Sequence, residues 1–440
     1  MEAEREKNQQ GQWGWVVVGA AFVTMALLYG LWYSFSVFLV ALLKEFGWSR
    51  SVTAGAFSVF ALVHAVVGPF FGPIAERFGP RRVIMAGGGI VALGLALTAE
   101  TAEPWQLYLS FGVITAVGVG FSGYVPLVIL IRGWFPARIG TAVGIATAGI
   151  SMGITILVPV CQLLIDHVGW RWAYRALGLA VVSWLVPATL WLLRERPRGA
   201  GPAAGTAASP PPTSPPHAPY WTLTLAVRSW KFWGLGLVLF TGNSAVTLFM
   251  IHQVAYLVDH GVPAMVAATV GGIVGLTSIA GKAGWGYLMD RKPREVVYNL
   301  ASASVLVSIG ALVLAGAHPL SILPYLYAVV LGIGYAITAP FTPAVSSDLF
   351  GGRGFSTIFG SIHIALGLGT AAGAWAGGKV FDLTGSYAVA MWGAAALTCF
   401  SCALLWVVAP RRPNPPPIRN EPPTNSHCPT AKRNTSERTG

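Results

Sequence analysis

Long apolar runs recur along the whole chain. A helix that crosses a bilayer needs about 20 mostly apolar residues, and twelve runs meet this requirement, each bounded by charges or by Gly and Pro turns. They cover 14–42, 52–74, 82–100, 105–131, 139–165, 171–193, 232–258, 264–288, 296–317, 321–346, 355–378 and 385–409. The first run is longer than a signal-peptide core and has no small-residue cleavage site after it, so we expect it to stay in the mature protein. The pattern predicts an all-α integral membrane protein with twelve transmembrane helices.

Composition supports a membrane protein over a soluble one. Hydrophobic residues make up 54% of the 440 residues and charged residues 10%, against about 25% charged in soluble domains. The 53 Gly are spread through the apolar runs, as in membrane helices that pack closely. The four Cys show no metal or disulfide spacing, so we predict no metal site and no cofactor.

The net charge of +12 reflects where the basic residues lie. Of 28 Lys and Arg, 22 lie in or beside the terminal segments and even-numbered loops, five lie in or near the odd-numbered loops, and Lys282 lies well inside a run. The positive-inside rule then predicts that both termini are cytoplasmic. We expect a multi-pass protein of the plasma or bacterial inner membrane, whose basic residues meet anionic lipid and not nucleic acid.

A segment rich in Pro, Ala and Ser divides the twelve runs into six and six. Such a segment cannot continue a helix or bury a core. The predicted domains are an N-terminal six-helix bundle (1–193), a cytoplasmic linker (194–230), a C-terminal six-helix bundle (231–409) and a disordered cytoplasmic tail (410–440).

Two motifs repeat between the halves at nearly the same offset. The pattern G-x-x-x-acid-Arg begins at Gly72 and again at Gly286, and the segment that begins at Phe135 is matched by the one that begins at Phe350. Parallel repeats of this kind are typical of major facilitator transporters, and Gly72 to Arg82 resembles the loop motif of that superfamily. We predict a conformational latch, the alternative being a basic loop that only sets topology. Its residues are Gly72, Glu76, Arg77, Arg81, Gly286, Asp290 and Arg291.

Several further segments resemble the monocarboxylate transporter family and its bacterial oxalate/formate-type relatives. They are 13–18, 34–38, 46–51, 138–153, 169–173, 252–261 and 381–387. The resemblance runs from residue 13 to about 409, and it implies a major facilitator fold that transports small organic anions.

Lys282 is the one Lys or Arg well inside an apolar run. A charge at the centre of a membrane helix costs about 2.5–3.5 kcal/mol on insertion scales, so it indicates a functional site. No Asp or Glu is embedded to neutralise it, which favours binding of a small carboxylate; the alternative is a Lys that snorkels towards water. The resemblance implies an Arg at this position, an Asp at Ser278 and a Lys at Tyr33, so the chain departs from that set.

The remaining predicted substrate contacts come from the helices that line the cavity in this superfamily. They are Tyr29, Tyr33, Tyr124, Asn243, His252 and Tyr335. Tyrosine hydroxyls can orient a carboxylate while the rings form an apolar wall, and His252 can exchange a proton near neutral pH. Helix packing is the alternative for each tyrosine, and structural hydrogen bonding is the alternative for His252.

The sequence therefore predicts a secondary active transporter of small organic anions, such as lactate or pyruvate, working by alternating access. We expect proton symport, with the proton on His252 or on the substrate's own carboxyl group. Anion exchange of the oxalate/formate type and facilitated transport of another small solute are the alternatives. No hydrolase, metalloprotease or P-loop motif is present, so we predict no enzymatic activity.

Overall fold

The computed structural model describes residues 2–135, 139–195, 221–319, 321–351 and 355–409, and every regular element in these ranges is helical. The first half contains α1 (Glu2–Phe46), α2 (Arg50–Phe78), α3 (Pro80–Ala99), α4 (consecutive segments from Pro104–Leu107 to Tyr124–Trp134) and a long helix, Ile139–Pro187, extended by Ala188–Leu192. The second half contains α7 (Trp230–Asp259), α8 (Ala264–Met289), α9 (Arg294–Ala317), α10 (Leu323–Tyr335 and Thr338–Phe350), α11 (Phe355–Thr384) and α12 (Ala388–Val408), with a short helix, Leu223–Arg228, before α7.

The long helix of the first half is two membrane spans joined at Gly169. The apolar segment Gly140–Leu192 has 53 residues, which would extend about 80 Å at 1.5 Å per residue, far beyond a hydrocarbon core of about 30 Å. Gly169 has φ +81° and ψ 160°, a conformation that glycine adopts without steric cost. We therefore divide the segment into α5 (139–168) and α6 (170–192). The eleven candidate spans of the described chain thus become twelve, which confirms the predicted fold class.

The outer surface of the bundle is apolar. Large hydrophobic side chains are exposed on helices of both halves, including Leu179, Trp392 and Val407. A contiguous apolar surface of this extent would be unfavourable in water and is what a lipid environment requires.

Glycines allow the first half to pack with little space between helices. A Cβ atom on Gly153 of α5 would collide with the Ala26 carbonyl of α1, and one on Gly149 would collide with the Phe22 carbonyl. Both glycines lie in the segment 138–153, one of those that carry the resemblance. Close backbone approach replaces the hydrophobic effect as a source of stability between helices in lipid.

The two halves contact each other mainly through α2 with α11 and α5 with α8. Because the number of spans is even, residues 12 and 408 lie at the same side of the bundle, which we call the terminal face; the other side, with the α1–α2, α7–α8 and α11–α12 connections, is the opposite face. Along α2 and α11 the contacts run from Arg50 and Gly378 to Ala65 and Gly367. These positions extend from the opposite face to about the middle of α2.

Glycines also allow α5 and α8 to pack closely, and this contact starts near the middle of the membrane. A Cβ atom on Gly275 would be 2.7 Å from the Ser151 carbonyl oxygen, and one on Gly272 would be 2.8 Å from the Thr155 carbonyl oxygen. Arg50, Ser51, Ser58 and the Ser151 region form hydrogen bonds between the halves. The described conformation is therefore held closed at the opposite face.

The division into two domains at 194–230 stays a prediction. Residues 196–220 of the predicted linker and the tail 410–440 lie outside the described residues. So do Arg138 and Arg353, which end the two copies of the motif that begins at Phe135 and Phe350.

Candidate functional site

Lys282 places its ammonium group between the two halves of the bundle. Its Nζ donates to Ser151 Oγ of α5 at 2.7 Å. Ser278, one helical turn earlier on α8, donates to the same oxygen at 2.9 Å. Ser151 is fully buried and Lys282 is half-buried. A hydroxyl from the first half therefore positions a charge from the second.

No described carboxylate neutralises this charge. The ion pairs in the described ranges join Arg50 to Asp259, Arg171 to Glu45, Arg175 to Glu100 and Arg294 to Asp348. An ammonium group has three donors, and one of those of Lys282 is used by Ser151. Two donors and an uncompensated positive charge are what a bound carboxylate would need.

Tyr335 lies on α10 beside Lys282. A Cβ atom on Gly281 would be 2.7 Å from the Ala336 Cβ, and Trp285 Nε1 donates to the Ile333 carbonyl at 2.7 Å. These contacts on either side of Lys282 and of Tyr335 bring the two residues to the same level.

The predicted tyrosines form a group between α1, α4 and α10. The Tyr33 and Tyr335 side chains meet across the two halves, and Tyr29 contacts the backbone of Tyr124. Trp32 stacks between Tyr29 and Tyr33, with ring centroids 5.7 Å and 6.2 Å away. The structure thus brings these four tyrosines into one aromatic wall, which meets the Lys282 region at Tyr335.

Asn243 is engaged within the second half. Its Nδ2 donates to the Leu366 carbonyl at 2.9 Å and to Thr370 Oγ1 at 2.5 Å, both on α11. Asn243 and Tyr335 also line a cavity of about 20 Å³, which is room for one water molecule. Asn243 is therefore near Tyr335, and the hydrogen bonds that fix its amide run to α11.

His252 lies well away from Lys282. His252 is in the last two turns of α7, which ends at Asp259, whereas Lys282 is in the second half of α8, which begins at Ala264. The short 260–263 connection brings those two helix ends to the same level, so a rise of 1.5 Å per residue separates the two side chains by about 17 Å along the bundle. The structure does not bring His252 into the Lys282 region.

Instead, His252 belongs to a polar cluster at the opposite face. Its Nε2 donates to the Ala374 carbonyl at 2.8 Å, and its Nδ1 is 3.0 Å from the Tyr387 hydroxyl. The same hydroxyl accepts from Arg50 Nη1 at 2.7 Å, and Arg50 Nη2 pairs with Asp259 at 2.6 Å. Arg50 comes from the first half and all its partners from the second, so the cluster joins the halves.

Asp382 adds a second contact to the same closure. Its two carboxylate oxygens accept from the backbone N–H groups of Arg50 and Ser51, each at 2.8 Å. These N–H groups begin α2, where helix geometry leaves donors without intrahelical partners and favours a negative charge. An acid of the second half thus caps a helix of the first. The Arg50 guanidinium also lies 3.8 Å from the centre of the Phe381 ring.

Sequence reasoning missed this cluster as a functional unit. Arg50 and Asp382 lie in two of the segments that carry the resemblance, but each is at the end of a span, where charges are ordinary. The available signal was that an Arg and two acids (Asp259 and Asp382) occupy the same face in opposite halves.

The predicted latch residues lie at the terminal face and have few partners. Arg81 donates to the carbonyls of Thr189 and Leu190 at 2.5 Å and 2.9 Å, which ties the start of α3 to the end of α6. Glu76 and Asp290 are exposed, and neither forms an ion pair within the described residues.

The other predicted latch residues also make few contacts with distant parts of the chain. The Arg77 and Arg291 guanidinium groups lie over the neighbouring Phe78 and Tyr287 rings. A Cβ atom on Gly72 would first meet Val125 at 3.8 Å, and one on Gly286 would meet nothing within 4 Å. An unengaged latch agrees with closure at the opposite face.

Twelve apolar helices of bilayer length, with a charged residue held between the first six and the last six, are features of membrane transporters. The model of the Major Facilitator Superfamily matches residues 21–327, and the chain belongs to that superfamily. This confirms the predicted superfamily and the prediction that the chain is a transporter and not an enzyme.

Within the superfamily, the similar proteins include monocarboxylate transporters. The chain is 27% identical over 388 residues to monocarboxylate transporter 13 of Bos taurus, covering 88% of this chain and 87% of that protein. It is 28% identical over 399 residues to monocarboxylate transporter 4 of Mus musculus, covering 87% and 80%. The predicted resemblance to the monocarboxylate transporter family is confirmed.

Solved structures share the fold at low identity. A D-xylose–proton symporter superposes with a TM-score of 0.68 at 15% identity, covering 90% of this chain and 98% of the other. A bacterial homologue of the lysosomal transporter Spinster, in an inward-facing and unoccupied conformation, gives 0.67 at 18% identity, covering 90% and 95%.

Proposed function

We propose that this protein carries small monocarboxylates across a cell membrane by alternating access, together with a proton. The observation that carries the proposal is the unneutralised ammonium of Lys282, held between the halves by Ser151. In alternating access, the two halves open first to one side of the membrane and then to the other, so a charge between them can bind its ligand from either side. The similarity to monocarboxylate transporters supports a carboxylate as the ligand.

The substrate binds with its carboxylate at Lys282 and its remaining atoms against the tyrosine wall. Tyr335 connects the carboxylate-binding region to the tyrosine wall, because it lies beside Lys282 and contacts Tyr33. A short apolar or hydroxylated chain, as in lactate or pyruvate, suits a wall of aromatic rings that carry hydroxyl groups. Lys282 and the tyrosines Tyr29, Tyr33, Tyr124 and Tyr335 are the proposed substrate contacts, with Asn243 behind Tyr335.

The terminal face is the cytoplasmic one. This orientation rests on the 22 Lys and Arg of the terminal segments and even-numbered loops. The described conformation is then open to the cytoplasm and closed to the outside. The exposed Glu76 and Asp290 form the latch contacts in the other state, in which the terminal face is closed.

Uptake into proteoliposomes tests this function. With labelled lactate outside, an inward proton gradient should accelerate uptake, and unlabelled lactate inside should drive counterflow. Organic cations and neutral sugars of similar size should not compete. Uptake that ignores the gradient but requires an internal anion would replace symport by exchange, and absence of both uptake and counterflow for every monocarboxylate would refute the proposal.

A further inference from the structure

The polar cluster at the opposite face has a fixed order of donors and acceptors. A guanidinium can only donate, so the Tyr387 oxygen accepts from Arg50. A backbone carbonyl can only accept, so His252 Nε2 carries a proton and donates it to Ala374. The His252 Nδ1 is then the acceptor for the Tyr387 hydroxyl. The chain from Arg50 to Ala374 is complete when His252 is neutral.

Tyr387 keeps the proton that this order requires. It lies in the connection between α11 and α12, and burial raises the pKa of its hydroxyl to about 12, although the nearby Arg50 acts in the other direction. At neutral pH the hydroxyl is therefore protonated, and it can accept from Arg50 while it donates to His252.

A second proton on His252 does not fit this arrangement. His252 is 2% exposed, and Gly377 packs directly against its ring, because a Cβ atom there would be only 2.7 Å away. Protonated Nδ1 would donate to the oxygen that Arg50 already uses, and the Tyr387 proton would lose its acceptor. The cluster would also hold two positive charges next to one hydroxyl.

The charged and titratable groups around His252 come from four elements. They are Arg50 from α2, Asp382 from α11, Tyr387 from the α11–α12 connection, and Tyr256, Asp259 and His260 from α7 and its C-terminal end. Asp259 is paired with Arg50, and Asp382 caps α2 through two N–H groups. Neither acid is therefore available as a direct partner for a protonated His252 while the cluster is closed.

We propose that Arg50, Tyr387 and His252 form a proton-sensitive gate at the opposite face, which closes when His252 is neutral and opens when His252 binds a proton. The inference goes beyond the proposed transport by naming a group whose protonation is linked to the conformational change, and it does not make His252 the carrier of the co-transported proton. It does not depend on which anion is carried.

The direction of the linkage follows from the closed structure. Closure favours neutral His252, so high pH favours the closed gate and closure is lost as the pH falls. When the gate is open, water and protons reach the ring; before the gate closes around Arg50 and Tyr387, the second proton of His252 returns to the water at the opposite face. One linked proton changes the open-to-closed ratio by at most about tenfold per pH unit.

Distance measurements between spin labels test the gate without any substrate. Labels at Ala102→Cys and Ile322→Cys report the separation of the halves, because each residue is exposed and lies in an opposite-face connection of a different half. The background protein lacks its four native Cys. Between pH 8 and pH 5, where a histidine titrates, we expect the long-distance population of the otherwise unchanged protein to rise by at least tenfold.

Three variants and one matched control decide the interpretation. His252→Gln and Tyr387→Phe should lose the pH response, and Arg50→Gln should be open at both pH values. Arg171→Gln is the control, because Arg171 pairs with Glu45 at the same face but within the first half; it should respond like the parent. A full pH response in His252→Gln, or no response in the parent, would overturn the gate. Loss of transport with an intact pH response would instead count against the proposed substrate site alone.

Discussion

Replacing Lys282 with Ala should abolish carboxylate binding while the protein stays folded. Two unit charges 4 Å apart interact by about 4 kcal/mol at an effective dielectric constant of about 20, which is an upper limit of about a thousandfold in affinity. Desolvation of the two charges offsets part of this gain. We therefore expect Lys282→Ala to weaken binding by about a hundredfold.

The hydrogen bond to Ser151 allows charge and position to be separated. Lys282→Arg keeps the positive charge and should stay within about tenfold of the parent. Ser151→Ala keeps the ammonium but removes the oxygen that holds it at 2.7 Å. Since a hydrogen bond to a charged group contributes about 1.5–3 kcal/mol, we expect at least a tenfold loss in this variant. Its loss should be smaller than that of Lys282→Ala.

The assay is binding of labelled lactate to purified protein, with thermal stability measured on the same samples. Lys379→Ala is the matched control, because Lys379 is exposed near the opposite-face end of α11 and its replacement removes the same charge elsewhere. Parent-like affinity in folded Lys282→Ala would refute the site. An equal loss in Lys379→Ala would show that net charge, and not the position of Lys282, controls binding.

Two further predictions concern the moving parts. Glu76→Ala and Asp290→Ala should each change the proportion of molecules open at the terminal face, with little effect on which anion is selected; accessibility labelling that finds unchanged populations in both variants would contradict the latch. Gly275→Ala should cost about 1–3 kcal/mol and lower the melting temperature, because its Cβ atom would be 2.7 Å from the Ser151 carbonyl oxygen, whereas Gly284→Ala on the same helix meets nothing within 4 Å and should be neutral. Equal melting temperatures for these two variants would argue against a tight α5–α8 contact.

The number of spans and the presence of a charge inside one of them could be predicted because both depend on local physics. A run of apolar residues of bilayer length is readable without any tertiary information, and so is a charge that interrupts one. The boundary between α5 and α6 was predicted between residues 165 and 171 and is found at Gly169, where a positive φ allows the turn.

The opposite-face cluster could not be predicted in the same way. Arg50 lies in the first half of the chain, whereas Asp259 and Tyr387 lie in the second, so their contact depends on how the halves associate. His252 was grouped with Lys282 because both lie within spans. His252 is close to the 260–263 connection and Lys282 is far from it, and this difference in level separates them.

The contacts between the halves have to be marginal for the protein to work. Changing a two-state population from 1:99 to 99:1 requires about 5.5 kcal/mol of differential binding. Ligands with micromolar to millimolar affinity bind with only about 4–8 kcal/mol. At the opposite face, Arg50, Asp382 and Ser58 supply a handful of polar contacts, each with a net contribution of about 1 kcal/mol. A closure of this strength can be reversed by one proton and one anion, whereas a more extensive network at this face would trap the transporter in a single state.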